Sequence, residues 1–200
     1  MIRPRYRGNA ARVLDFDCEA RPLSWYGGDW VTKEVTAIAW QFTDRKRTEV
    51  RLLGIHETSQ LFADFVAAYD QADVVTGHFI RGYDLPVLNG ALIELGMPPL
   101  KPKLTQDTKL DLVKRSGISV SQENLGALLG LKHEKVQMDQ AKWRAANRLT
   151  PAGIALTRKR VVGDVKQHIE MRARLLELGL LRSPRMWSGN APGPRVEYEP

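Results

Sequence analysis

Three acids, Asp15, Asp17 and Glu19, alternate with apolar residues in the stretch Val13-Leu14-Asp15-Phe16-Asp17-Cys18-Glu19. Successive side chains of a strand point to opposite faces, so a strand here puts the three carboxylates together and Leu14, Phe16 and Cys18 behind them. Like charges that close raise one another's pKa unless a cation sits among them. Carboxylate oxygens favour hard ions such as Mg2+ or Mn2+. The first chemistry on offer is therefore a metal-dependent reaction at a phosphate. The competing reading is a strand end at which acids simply meet water.

Two further acids stand in suggestive settings. Val74-Val75-Thr76-Gly77-His78-Phe79-Ile80-Arg81-Gly82-Tyr83-Asp84-Leu85-Pro86 reads as a buried strand, a loop, and a helix headed by Asp84. Taken alone, Asp84 is a helix cap satisfying free backbone N–H groups. In Val161-Val162-Gly163-Asp164-Val165-Lys166-Gln167-His168, Asp164 lies on a helix with an apolar stripe. Alone, it reads as a solvated surface residue.

The elements that must position these residues follow from periodicity and punctuation. After the first strand comes a loop, Arg21 to Thr32, then a strand over Val35 to Phe42. The Asp44-Arg45-Lys46-Arg47 turn leads to a third strand, Thr48 to Leu53, giving an antiparallel meander. Helical spacing of Leu61, Phe62, Phe65 and Val66 predicts a helix from about Thr58 to Tyr69. A strand over Asp73 to Gly77 is followed by a helix over Leu85 to Leu95, with Pro86 in its first turn and Gly96 at its end. A short strand, Leu104 to Gln106, ends at Asp107. Helices follow after Ser121, over Met138 to Arg148, and over about Pro151 to Leu178. The order of elements argues α/β with a mixed sheet.

The three acidic segments, in order and spacing, resemble the DEDD family of 3′–5′ exonucleases, with the pattern of the proofreading domains of family-B DNA polymerases. Asp17-Cys18-Glu19 resembles the first motif, Asp-x-Glu. Gly77 to Pro86 resembles the second, typically Gly-His-Asn, three residues, then aromatic-Asp-x-Pro. Gly163-Asp164-Val165 resembles the core of the third. The resemblance implies a ribonuclease-H-like α/β fold. The expected sheet is mixed and five-stranded, a three-stranded antiparallel meander plus parallel strands, flanked by helices. It also implies Asp17, Glu19, Asp84 and Asp164 as catalytic and metal-holding residues for two divalent ions, Mg2+ or Mn2+. Ions ~3.5–4 Å apart clamp the attacking and leaving oxygens of an in-line displacement. By the resemblance, Asp17 bridges both ions, Glu19 and Asp164 complete the water-activating site, and Asp84 holds the second ion through water. Asp15 is not a family ligand position.

Two departures from the family pattern stand out. The third motif carries a Tyr four residues before its Asp, or a His five before, to orient the attacking water; here those positions are Arg160 and Lys159. Arginine stays protonated and cannot act as a base, but it can bind a phosphate. The Asn of the second motif is replaced by Phe79. Substitutes for the water-orienting group are His78, at a strand end, ahead of His168, which is expected to be solvent-exposed. Asp107 is expected to serve loop hydrogen bonding. Arg158, Lys159 and Arg160, with His78, are candidate nucleic-acid contacts. Trp25, Tyr26 and Trp30 are candidates for stacking on unpaired bases.

The 200 residues, 43% of them hydrophobic, support one core. The expected organisation is one exonuclease domain over residues 1–183, with a basic N-terminal arm at 1–10, and an irregular tail at 184–200. A formal charge of +7 and a pI near 9.7 point to a polyanionic partner. The single cysteine, Cys18, excludes an internal disulfide. No apolar run is long enough to span a membrane, and Met1 to Arg7 is basic without the apolar stretch of a signal peptide. An intracellular, cytoplasmic protein without membrane association is expected. The expected activity is removal of nucleotides from single-stranded or frayed DNA 3′ ends, any proofreading being exercised with a DNA polymerase in trans. The alternatives are an RNA-end trimming nuclease of the same fold and a catalytically silent nucleic-acid-binding or polymerase-scaffolding module.

Overall fold

The structure is a computed structural model that describes residues 5–6, 9–23, 32–113 and 117–189. A two-residue pair, β1 (Arg5–Tyr6) and β2 (Asn9–Ala10), precedes the main sheet. That sheet has six strands in the order β5-β4-β3-β6-β7-β8. These are β3 (Val13–Pro22), β4 (Lys33–Phe42), β5 (Glu49–Leu52), β6 (Val74–Gly77), β7 (Lys103–Asp107) and β8 (Arg185–Trp187). β3, β4 and β5 form the antiparallel meander, β6 and β7 run parallel to β3, and β8 is antiparallel to β7. This mixed α/β architecture is compatible with a ribonuclease-H-like fold. It corrects the expected strand count from five to six. β8 escaped because three residues carry no readable period and lie among Pro184, Ser188 and Gly189, which read as a loop. Backbone pairing to Lys103–Thr105 and packing of Trp187 on the core make it a strand.

Alternation along the strands separates two faces. Leu14, Phe16 and Cys18 of β3, with Ile38, Trp40 and Phe42 of β4, face α1 (Thr58–Gln71) and α2 (Asp84–Glu94). Phe16 and Phe65 meet there with ring centroids 5.1 Å apart. The other face of β4 offers Ala37 and Ala39, and with Val50 and Leu52 they pack on Val161 and Val165 of α5 (Pro151–Glu177). Ala37 and Ala39 are also the cross-strand partners of Glu19 and Asp17. Small residues beside the acids let α5 approach the sheet and leave room for the carboxylates.

α5 begins where the sequence signals it. Thr150 accepts a hydrogen bond from the Gly153 N–H at 3.1 Å, and Pro151 occupies the first turn. α4 (Gln140–Asn147) crosses so close that a Cβ at Gly153 would stand 2.1 Å from the Ala145 carbonyl oxygen. α3 (Gln122–Leu128) packs with Leu125 against Met171 and Leu175, and Ser121 caps it by accepting from the Asn124 N–H at 3.2 Å. Among the described residues no helix is long and apolar enough to cross a membrane.

Candidate active site

β3 and α5 meet in register. Alternate strand residues are ~6.6 Å apart and every fourth helical residue ~6 Å apart, so an i+2 row on a strand can face an i+4 row on a helix. Asp15, Asp17 and Glu19 form the first row and Arg160, Asp164, His168 and Arg172 the second. Arg160 meets Glu19, Asp164 meets Asp17, and His168 and Arg172 meet Asp15.

At the Asp15 end the charges close on themselves. Arg172 donates from Nε and NH2 to the two carboxylate oxygens, both at 2.9 Å, and the Thr43 hydroxyl donates at 3.1 Å. Burial pushes the Asp15 carboxyl up, but Arg172 and His168 more than offset this and hold it at about 2. His168 is 2% exposed, with Nδ1 3.1 Å from Asp15 Oδ1 without hydrogen-bond alignment. The expectation of a solvent-exposed His168 is therefore corrected. Its stripe of polar side chains on α5 looks solvated in sequence, but matching acids on β3 face it.

Two residues along the strand, the charges do not close. Asp17, Glu19 and Asp164 each place a ligand atom within 4.8 Å of the others. Burial, then Asp84, Asp164 and Glu19, push the Asp17 carboxyl well above the ordinary range. Glu19 and Asp164 are also raised by burial, opposed by Arg160 for the first and by Lys135 and Arg160 for the second. Asp84 lies at the start of α2 but does not cap it. Its Oδ1 accepts the Cys18 N–H of β3 at 3.0 Å, and burial raises its pKa to about 6. All four acids line one pocket of about 300 Å3 together with Lys135 and Arg160. Asp164 Oδ1 is buried there without a partner. Four oxygen-donor carboxylates, one with an unpartnered buried oxygen, fit a hard divalent cation.

The loop after β6 shapes one wall. Gly77 lets β6 approach β3: a Cβ would meet the Phe16 carbonyl oxygen at 2.7 Å. Phe79 adopts φ 68, a left-handed conformation that costs a non-glycine residue about 1 kcal/mol. Asp107 holds this turn by accepting the Phe79 and Arg81 N–H groups at 3.0 and 3.1 Å, the loop-bonding role expected for it. His78 lines the pocket with Nδ1 3.0 Å from the Thr108 hydroxyl oxygen; burial depresses its pKa to about 3, so it is neutral. The basic run divides. Arg160 enters the pocket, while Arg158 and Lys159 are exposed on α5. Trp25, Tyr26 and Trp30 lie outside the described residues.

The sequence reading missed Lys135, whose Nζ lies 3.3 Å from Asp164 Oδ2. It belongs to the irregular segment between α3 and α4, where no periodicity could assign it a face. Lys109 was also missed; its Nζ lies 3.9 Å from the Phe79 ring centroid.

No protein-family model and no curated protein sequence matches the chain. Among solved structures, it is similar to the family B DNA polymerase from the hyperthermophilic archaeon Pyrobaculum calidifontis, with a TM-score of 0.64 and 21% identity over 83% of this chain. The likeness is one of fold. The chain covers 24% of that polymerase.

Proposed function

We propose that the chain is a metal-dependent 3′–5′ exonuclease that removes nucleotides from single-stranded or frayed DNA ends. Its metal-holding residues would be Asp17, Glu19, Asp84 and Asp164. The observation that carries this reading is the convergence of four acids from β3, α2 and α5 in one pocket, at a cost in electrostatic repulsion that a purely structural site has no reason to bear. The fold shared with a family B DNA polymerase supports it.

In the reaction, water attacks the terminal phosphorus and the 3′ oxygen of the preceding nucleotide leaves. Divalent ions, when bound, supply the electrophilic stabilisation of that phosphate. The protein supplies position. The Cys18 N–H fixes the Asp84 carboxylate, and the Arg160 guanidinium, paired with Glu19, holds that carboxylate in place. Phe79 and Tyr83 line the pocket. Lys109 stands by the first ring, and Lys33 Nζ lies 4.2 Å from the centroid of the second, so aromatic faces and positive charge adjoin the site. That pairing suits an unpaired nucleotide. His168 is not placed to orient the water, while His78 lines the pocket. His168 is sealed against Asp15, and the second nitrogen of His78 is buried.

The test is a 5′-labelled single strand with Mg2+ or Mn2+. A descending ladder is expected, lost with EDTA and reduced at least 10³-fold in Asp17→Asn while the fold persists. A matched RNA strand reports whether the 2′-OH is tolerated, and added polymerase reports any cooperation in trans. The Arg160–Glu19 pair favours one second reading, a nucleic-acid-binding module in which protein cations neutralise the acids. Strand retention without cleavage in either metal would select it.

A further inference from the structure

The resemblance leaves Arg160 in the place of a water-orienting Tyr, and the structure places that arginine firmly. Its Nε donates to Glu19 Oε1 at 2.5 Å and its NH1 donates to the Val136 carbonyl oxygen at 2.8 Å. Its NH2 lies 3.9 Å from Asp164 Oδ2, and its guanidinium carbon lies 5.0 Å from the Trp143 ring centroid. The neighbouring Lys135 reaches Asp164 Oδ2 from the same segment that supplies the Val136 carbonyl. Two protein cations thus stand against Glu19 and Asp164. Asp17 and Asp84 have no cation partner among the described side chains, and Asp164 Oδ1 is free.

Charge counting shows what this leaves. Four ionised carboxylates and two protein cations sum to −2, which one divalent ion neutralises. A second ion would leave an excess of +2 before any substrate phosphate arrived, and would have to displace an arginine held at four points. We propose that Arg160 and Lys135 take the place of one ion, so that the cluster holds a single Mg2+ or Mn2+ per chain, on Asp17 and the free oxygen of Asp164. The inference rests on the metal-dependent reading and departs from the two-ion site implied by the family resemblance.

The full chain would be titrated with Mn2+, free ion being followed by electron paramagnetic resonance and the metal-induced rise in Tm serving as a second readout. One ion per chain is expected for the wild type and two for Arg160→Tyr, which removes the cation and restores the family side chain. Lys135→Met, on the irregular segment between α3 and α4, is also expected to raise the count, and carries the test alone should Arg160→Tyr fail to fold. Two ions in the wild type, or folded variants whose count stays at or below the wild-type value, overturn the inference and leave the metal-dependent reading intact. No saturable Mn2+ in the wild type or either variant overturns both.

Discussion

Asp15 and Asp17 stand two positions apart on one strand, and their neighbours on α5 give them opposite fates. Asp15 meets Arg172 and is held at about 2; Asp17, buried with Asp84 and Asp164 beside it, is driven up. Asp84 belongs with Asp17. Its folded pKa, about 6, lies above the ordinary 3.8, so its favourable contribution is present below pH 4 and is lost as pH rises through 6. Its carboxylate is therefore a burden on the metal-free protein at neutral pH. Asn at this position keeps an oxygen to accept the Cys18 N–H and removes the charge. Asp84→Asn in EDTA should melt ~2–6 °C above the wild type at pH 7.5, the gain vanishing near pH 4. Calorimetry at the two pH values checks this, and the difference between proteins cancels Asp15, which acts in the opposite direction below pH 4. A variant that melts lower than the wild type at pH 7.5 would mean that Asp84 is satisfied without metal.

At the scale of elements, the acids of β3, the Gly77–Asp84 turn and the helix carrying Asp164 were legible because each has a local signature: alternation, a strand-to-helix switch, an apolar stripe. What escaped was information held between elements. His168 looked solvated because helical periodicity shows which residues share a face, not what that face meets. Lys135 lies in a segment with no period, and β8 is too short to have one. Glycines make the same point. Gly163 and Gly153 both lie in α5, and sequence alone cannot rank them. A Cβ at Gly163 meets nothing within 4 Å, whereas at Gly153 it meets the backbone of Ala145. Gly163→Ala should stabilise by about 1 kcal/mol through helix propensity. Gly153→Ala should destabilise by roughly 2 kcal/mol or more, because α4 must move. Urea unfolding of both variants decides the matter; similar midpoints would show that α4 and α5 are not packed this closely.

For the whole molecule, charge and site have opposite signs. The chain carries +7 overall, yet its pocket gathers four acids. A polyanion is therefore attracted to the surface and repelled by the pocket until cations are bound there. If Lys33, Lys109, Arg158 and Lys159 each neutralise one phosphate of a single strand, counterion release gives a slope of log K against log salt of about −3. Arg158 and Lys159 are exposed and outside the pocket, so Arg158→Ser with Lys159→Ser should flatten that slope by about half and weaken binding equally for all sequences. The pocket acids add a second signature. In EDTA their unneutralised charge opposes the strand, so Asp17→Asn should bind more tightly than the wild type without metal, and the advantage should shrink when Ca2+ fills the cluster. Fluorescence anisotropy of a labelled oligothymidine over a salt series measures all three. A slope near zero would reduce the basic excess to a solubility feature. A normal slope with no gain in Asp17→Asn would place the bound strand on the basic surface away from the acids.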